Sequence, residues 1–324
     1  YSNNCQTIRF GRLRPYRIYD KLIGFPMRKL TTALLPVALL ATSFATHAAT
    51  SDGKTIGVSA GWMHIMPQGE KQGVAGSLNL GSKISTSDPD AGFEIDDADT
   101  GAILFDYYVN DNVSLEFVGG YPPKMKIDGK GTILKSISLG NNTLAGPSVN
   151  LGNIGEVGDV DAYTPALLAK YQFGTVNSKF RPFVGAGIMY AHFSNFKLNG
   201  SVNPALNASM TSYLGTPSGQ AVSGYLALTN PQVAKAIAAA GGNFGLAVSK
   251  VDIDDAVAPI ATIGADYNFN KDWFATASVS YAHLQTTAKL DITSSTLGGA
   301  KVVSGQSEIE INPIVTYVGI GYRF

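Results

Sequence analysis

The sequence predicts an all-β protein, an eight-stranded antiparallel transmembrane β-barrel with short periplasmic turns and long extracellular loops. Three observations carry this. Apolar and polar residues alternate along eight separate runs, the connections alternate between short and long, and aromatic residues gather at both ends of the apolar face.

The N-terminal region is set aside first. Residues 27–48 read "MRKLTTALLPVALLATSFATHA": a basic start, a short apolar stretch and small residues before a cleavage position after Ala48. That is the pattern of a secretory signal peptide, and its apolar part is shorter than the roughly 20 residues a spanning helix needs. Residues 1–26 begin with Tyr1 and read as an upstream or mis-called segment. The expected fold occupies 49–324. It keeps 17 Lys and Arg against 23 Asp and Glu, because seven bases and one acid lie before it. A net charge of about −6 argues against nucleic acid as a partner, since that affinity rests on cations meeting phosphate. The one cysteine, Cys5, lies in the first segment, so neither a disulfide framework nor a thiolate metal site is expected.

The eight runs fall at 55–64, 101–109, 112–121, 161–173, 180–192, 259–269, 272–287 and 309–324, each bounded by Gly, Pro, Asn or Asp, as strands are. Three connections are short: "VNDN" at 109–112, "GTVNSK" at 174–179 and "NKD" at 270–272. Four are long: 65–100, 122–160, 193–258 and 288–308. In an up-and-down meander this puts every tight turn at one end, the habit of outer-membrane barrels.

One face of the runs is apolar: Ile56, Val58, Ala60 and Trp62 on the first, Ile103, Phe105 and Tyr107 on the second, Val318 and Ile320 on the last. The other face holds Asp106, Glu116, Lys170, Arg181, Asp266 and Arg323. A barrel with its ions inside and its apolar residues outside needs an apolar solvent, and a closed barrel leaves no backbone group unpaired in lipid. Aromatics on the apolar face form two rings. Tyr107, Tyr171, Phe173, Tyr267, Trp273, Tyr322 and Phe324 lie beside the short turns; Trp62, Tyr121, Tyr163, Tyr190 and Tyr281 lie beside the long loops. Ten strand steps separate Phe173 from Tyr163, which with the usual tilt span roughly 25 Å. The chain's last alternating residues, Tyr322 and Phe324, resemble the insertion signal of bacterial outer-membrane barrels.

Eight strands enclose only enough space for side chains, so a wide water pore is not expected. The inward charges Asp106, Glu116, Lys170, Arg181, Asp266 and Arg323 cluster near the short turns. Three acids and three bases can pair there as a neutral plug. The outer lumen is lined by small and apolar residues, among them Met63, Val118, Leu168, Met189, Ser280 and Tyr317. Pro67, Pro122, Pro165 and Pro259, with Pro123 and Pro313, cluster near the outer strand ends. Each removes a ladder donor, and these are candidate lateral gaps as well as ordinary strand ends. Within the third long connection, "NPQVAKAIAAAGG" predicts a short helix with Asn230 as cap, Pro231 in the first turn and Gly241 past the end.

Several segments resemble the OmpW family, with its AlkL-like hydrophobic-solute channels. They are "GWMHIMP", "GFEIDDADTGAILFDYYVNDNVSLEFVGGYPPK", "PALLAKYQFG" followed by "SKFRPFVGAGIMY", "DYNFNKDWFATASVSY" and the closing "GYRF". The resemblance covers all eight runs. It implies an outer-membrane barrel that passes small hydrophobic molecules and releases them through its wall. It also implies an apolar constriction from the third and seventh strands. Val118 stands at the first of those positions, and Ser280 stands where a bulky aromatic can occur. The partners it implies are a small hydrophobic solute, outer-membrane lipid and lipopolysaccharide, and the barrel-assembly machinery.

Two other classes were weighed. An enzyme is not expected: no nucleophile elbow, zincin His pair or phosphate loop is present, and His64, His192 and His283 fall at the outer rim with outward parity. No cofactor or metal is expected, since the acidic stretch 88–99 lacks an EF-hand spacing. A structural or adhesive barrel acting through its loops, without transport, stays open as the alternative.

Overall fold

The tight turns are built by side chains that mimic backbone. Asn110 Oδ1 accepts from the amides of Asn112 and Val113, both at 2.9 Å. Asn270 Oδ1 accepts in the same way from Asp272 and Trp273, both at 2.8 Å. Such Asx turns explain why "VNDN" and "NKD" reverse the chain. A computed structural model describes residues 49–69, 73–79, 83–139 and 142–324, which belong to one compact unit, Ala48–Phe324. The expected upstream segment 1–26 and signal peptide 27–48 lie outside the described residues.

Eight antiparallel strands form the barrel: β1 (Ile56–Met66), β2 (Ala98–Tyr108), β3 (Val113–Gly120), β4 (Ala166–Gln172), β5 (Phe180–Leu198), β6 (Ala256–Asn268), β7 (Trp273–Ala282) and β8 (Ile314–Arg323). Sequential neighbours pair from β1 to β8, and β8 returns to β1, with Gly57 opposite Arg323. Closure leaves no bare edge for lipid. Burial alternates with period two. Ile103, Phe105, Phe117, Val184, Ile263, Val279, Val318 and Ile320 are exposed outward, and Leu104, Asp106, Glu116, Phe183, Asp266 and Tyr317 are buried inside. Inside, the rings of Tyr108 and Phe274 lie where a side chain on Gly57 or Gly321 would stand.

The closing seam ends on Phe324. Its amide donates to Ile56 O (2.8 Å), and its carbonyl accepts from Thr55 N (2.9 Å). Its ring meets Tyr322 edge-on at 4.9 Å and is exposed on the lipid side. Phe324→Ser keeps both backbone bonds. If this ring serves insertion, the variant should refold normally in lipid vesicles yet reach the cellular outer membrane several-fold less. Equal membrane levels of variant and parent would remove that role.

The long connections differ from the expectation of loops. The 288–308 segment is mostly strand, over Gln285–Ser294 and Ala300–Glu310. Inward parity runs unbroken from β7 through Leu284 and Ile292, both buried. What changes is the outward face, which passes from Val279 and Tyr281 to the charged Lys289, Asp291 and Lys301. The strands leave lipid for water, so the outer side becomes polar while the inner side stays or turns apolar. A search for apolar outward residues therefore stops at the membrane boundary. Elsewhere parity flips, as at Asn195 in β5, which has φ +54° beside a shift in pairing between Asp159 and Asp161.

The result is an extracellular dome built mainly on two sheets, with two short two-stranded pairings, 132–133 with 149–150 and 136–139 with 142–145, beside them. Residues 92–95, 124–130, 156–163 and upper β5 extend the barrel sheet. A separate five-stranded sheet takes 246–253, 285–294, 300–310, 74–79 and 83–88 in that order. Between them lies a core that includes Ile127, Val157, Leu246, Ile292 and Val303. The third connection adds three helices rather than one: α1 (Val202–Leu214), α2 (Pro217–Thr229) and α3 (Pro231–Ala239). α3 is the predicted helix, with Asn230 Oδ1 accepting from Val233 N (3.4 Å) and Gly241 at φ +64° beyond its end. α2 starts with the same device, Thr216 Oγ1 accepting from Gly219 N (3.1 Å) before Pro217. That cap is equally legible as a helix start.

Candidate functional site

The lumen divides into an ionic floor and an apolar chamber. All six predicted floor residues are buried at the turn end. Lys170 Nζ donates to Asp106 Oδ1 (3.0 Å) and Glu116 Oε2 (2.6 Å) and sits 4.4 Å from the Phe183 ring centre. Arg323 is held on four sides: Nη2 to Asp266 Oδ2 (3.0 Å), Nη1 to Asn268 Oδ1 (2.6 Å), Nε to Tyr108 Oη (3.0 Å), with Phe274 4.1 Å away as a ring face. Buried charges persist when paired and hydrogen-bonded in this way.

Pairing differs from the expected three acids with three bases. Two cations serve the three carboxylates, and Arg181 Nη2 donates instead to the backbone carbonyl of Asp111 in the first tight turn. Asp266, directly across from Arg181, accepts at Oδ2 from Arg323 and from Gln172 Nε2 (2.7 Å), while its Oδ1 and Arg181 Nε are both buried without a partner among the described residues. Sequence reading missed Gln172, Asn268 and Tyr108. Each stands two residues after a predicted floor charge, on the same inward face, which is the signal that could have found them.

Above the floor lies a chamber of about 60 Å³. All six predicted lining residues, Met63, Val118, Leu168, Met189, Ser280 and Tyr317, surround it, and Glu116 reaches it from below. Two of its hydroxyls are engaged with the wall: Ser280 Oγ donates to Thr262 Oγ1 (2.9 Å), and Tyr317 Oη shares a bond with Ser59 Oγ (3.1 Å). What remains facing the space is mostly hydrocarbon. Met125, Leu284 and Ile311 also line it. Met125 comes from the second long connection, outside the runs; Leu284 and Ile311 stand at the outer ends of the seventh and eighth runs, where inward parity from Ser280 and Tyr317 could have found them. A second apolar cavity of about 100 Å³ lies between the dome sheets, with Phe93, Ile127, Phe196 and Ile292 in its wall.

The prolines fall in different places. Pro122 and Pro165 flank one break in the wall. The β3–β4 ladder stops at Val118 opposite Ala166 and resumes with Ala162 N donating to Pro123 O (3.0 Å) and Lys124 opposite Asp161, and Pro122, Pro123 and Pro165 have no amide to give. Ala162, Thr164 and Ala166 on that side line the chamber. Lys124 Nζ closes the top by contacting Asp159 (3.0 Å) and Asp161 (3.4 Å). A hydrogen bond from Asn195, together with Lys124, holds the Asp161 carboxyl below its ordinary value. Pro259 borders a second break: its carbonyl accepts from His283 N (3.1 Å), and pairing resumes only at Asp254 with Thr287. Pro67 marks no opening, because the next amide, Gln68 N, donates at once to Ile311 O (2.9 Å).

The OmpW family profile matches residues 51–216 and 237–324. The chain belongs to the OmpW family. It is 29% identical to Outer membrane protein W of Vibrio cholerae serotype O1 over 218 residues, 67% of this chain and 70% of that protein. It is 24% identical to Outer membrane protein AlkL of Ectopseudomonas oleovorans over 250 residues, 77% of this chain and 75% of that one. The crystal structure of the outer membrane protein OprG from Pseudomonas aeruginosa aligns at a TM-score of 0.56 and 20% identity, covering 86% of this chain and 97% of OprG; that likeness concerns the fold. This OmpW-family chain is an outer-membrane β-barrel, and the resemblance read from its sequence holds.

Proposed function

We propose that this barrel passively admits small hydrophobic molecules through the dome and outer lumen and releases them sideways into the membrane, without a catalytic step. One observation carries the reading: an apolar chamber closed below by buried ion pairs is bordered at its side by the β3–β4 break. Descent through the floor would separate Lys170 from two carboxylates, at a cost of several kcal/mol. Exit at the break leads from hydrocarbon into lipid past Thr164 and separates no buried ion pair. The chamber at rest is smaller than the roughly 150 Å³ that holds benzene. Passage therefore requires side chains to yield, and Met63, Met125 and Met189 are suited to that because the thioether chain is unbranched and repacks easily. The break between β3 and β4 is the better exit, because it lies level with Tyr121 and Tyr163 in the outer aromatic ring. The break at Pro259, which also reaches the ring through Val257 opposite Tyr190, opens beside the carboxylates of Asp254 and Asp255.

The test is a reversible stitch. Gly119→Cys and Pro165→Cys stand opposite one another if the register of Val118 with Ala166 is continued. In cells producing the double variant, oxidation should lower uptake of radiolabelled ethylbenzene at least about fivefold, and a reductant should restore it. Equal uptake in both redox states, with the cross-link shown on a gel, would remove the lateral exit. The adhesive alternative predicts that neither state differs from cells lacking the protein.

A further inference from the structure

The three helices of the third connection enclose another cavity, of about 180 Å³, walled by Met210, Tyr213, Leu226, Ile237 and Phe244. Helix α1 explains its position. Val202, Leu206, Met210 and Tyr213 are its buried residues, a stripe at spacings of four, four and three. The first two line the dome cavity and the last two line this one, so one face of the helix serves as a wall of both chambers in turn along its length.

The wall carries one unused polar group. Tyr213 is 5% exposed, and among the described residues its Oη is buried without a hydrogen-bond partner. The other hydroxyl at the wall, Ser223 Oγ, donates to Gly219 O (2.9 Å). A buried phenol left unpaired costs about 1–3 kcal/mol, which a ligand oxygen would recover. A space of 180 Å³ is of the size that accepts a single aromatic ring, since a cavity of roughly 150 Å³ binds benzene. The family profile omits 217–236, which includes Val222 and Leu226 of the wall, whereas Met210, Tyr213, Ile237 and Phe244 fall within its matched segments.

We propose that the helical chamber binds a one-ring apolar molecule bearing a single hydrogen-bonding oxygen, such as a monohydric phenol or aryl alcohol, and that Tyr213 is its specificity-determining residue. The inference rests on the transport reading and narrows its solute class. The hydroxyl donates to, or accepts from, the ligand oxygen, while Leu226, Ile237 and Phe244 surround the ring.

The methionines allow a test that separates the two claims. Met210 lines the helical chamber, and Met63, Met125 and Met189 line the barrel chamber. The full chain, labelled at its methionine methyls and held in phospholipid nanodiscs, would be titrated with 4-ethylphenol and with ethylbenzene and followed by NMR. Both probes should move the Met210 signal. Tyr213→Phe removes only an unpartnered oxygen and keeps the packing. It should weaken 4-ethylphenol roughly 3- to 10-fold at Met210 and leave ethylbenzene within about twofold. An unmoved Met210 overturns the site, whatever the three barrel methionines do; their response decides the transport reading separately. A Tyr213→Phe effect equal for both probes, or absent for both, overturns the role given to its hydroxyl.

Discussion

Replacing Lys170 by methionine is expected to lower the barrel's unfolding free energy by about 3–5 kcal/mol, because breaking a buried pair strands its partner charges. Here two partners are stranded. Asp106 and Glu116 face each other across β2 and β3, and Lys170 is the cation that contacts both. Ser114, which donates to Asp106 Oδ1 at 3.2 Å, offers one hydrogen bond and no charge. Urea unfolding in lipid vesicles reads the loss. Adding Glu116→Gln to the variant removes the like-charge contact and lets an amide donate to Asp106, so at least half of the loss should return. A loss below about 1 kcal/mol for Lys170→Met would mean that the floor is hydrated and does not close the lumen.

Arginine at the chamber is expected to have the larger effect on uptake. Val118→Arg and Leu168→Arg each place a guanidinium in a space of about 60 Å³, where the cation fills the volume and makes the passage hostile to a hydrocarbon. Glu116, which touches the same space, gives the new charge a partner, so folding should survive. Each variant should cut ethylbenzene uptake by intact cells at least about tenfold, with unchanged heat-shifted migration of the folded barrel on gels. Val118→Leu should stay close to the parent. Undiminished uptake in both arginine variants would favour the adhesive reading.

The membrane-spanning part was legible because lipid enforces one rule on it. Outward residues from Ile56 to Ile320 must be apolar, the lumen holds the ions, and both facts appear as a period of two. The floor's members followed from parity, whereas their partners did not. Nothing in spacing says that Arg323 and Gln172 would share Asp266 Oδ2 while Arg181 turns to a backbone carbonyl, because that depends on cross-strand register. The dome was misread as loops for a physical reason. Above the interface the alternation continues with polar Lys289 and Asp291 outside, so a pattern keyed to lipid ends there although the strands do not. Helices α1 and α2 were missed among small residues, although the Thr216–Pro217 start of α2 was as readable as Asn230–Pro231. Among the prolines, chemistry marked where an amide is absent, and only pairing separated Pro122 and Pro165, at the break, from Pro67, which is bridged by its neighbour.

The central claim is a continuous apolar route from the dome to the outer lumen and out through the β3–β4 wall. Anomalous diffraction from crystals of the lipid-embedded protein soaked in bromobenzene tests it most directly. The account predicts bromine peaks between the dome sheets, in the chamber bordered by Met63 and Met189, and beside Thr164 at the break. Bromine confined to the outer lipid-facing surface, with both chambers empty, would contradict it.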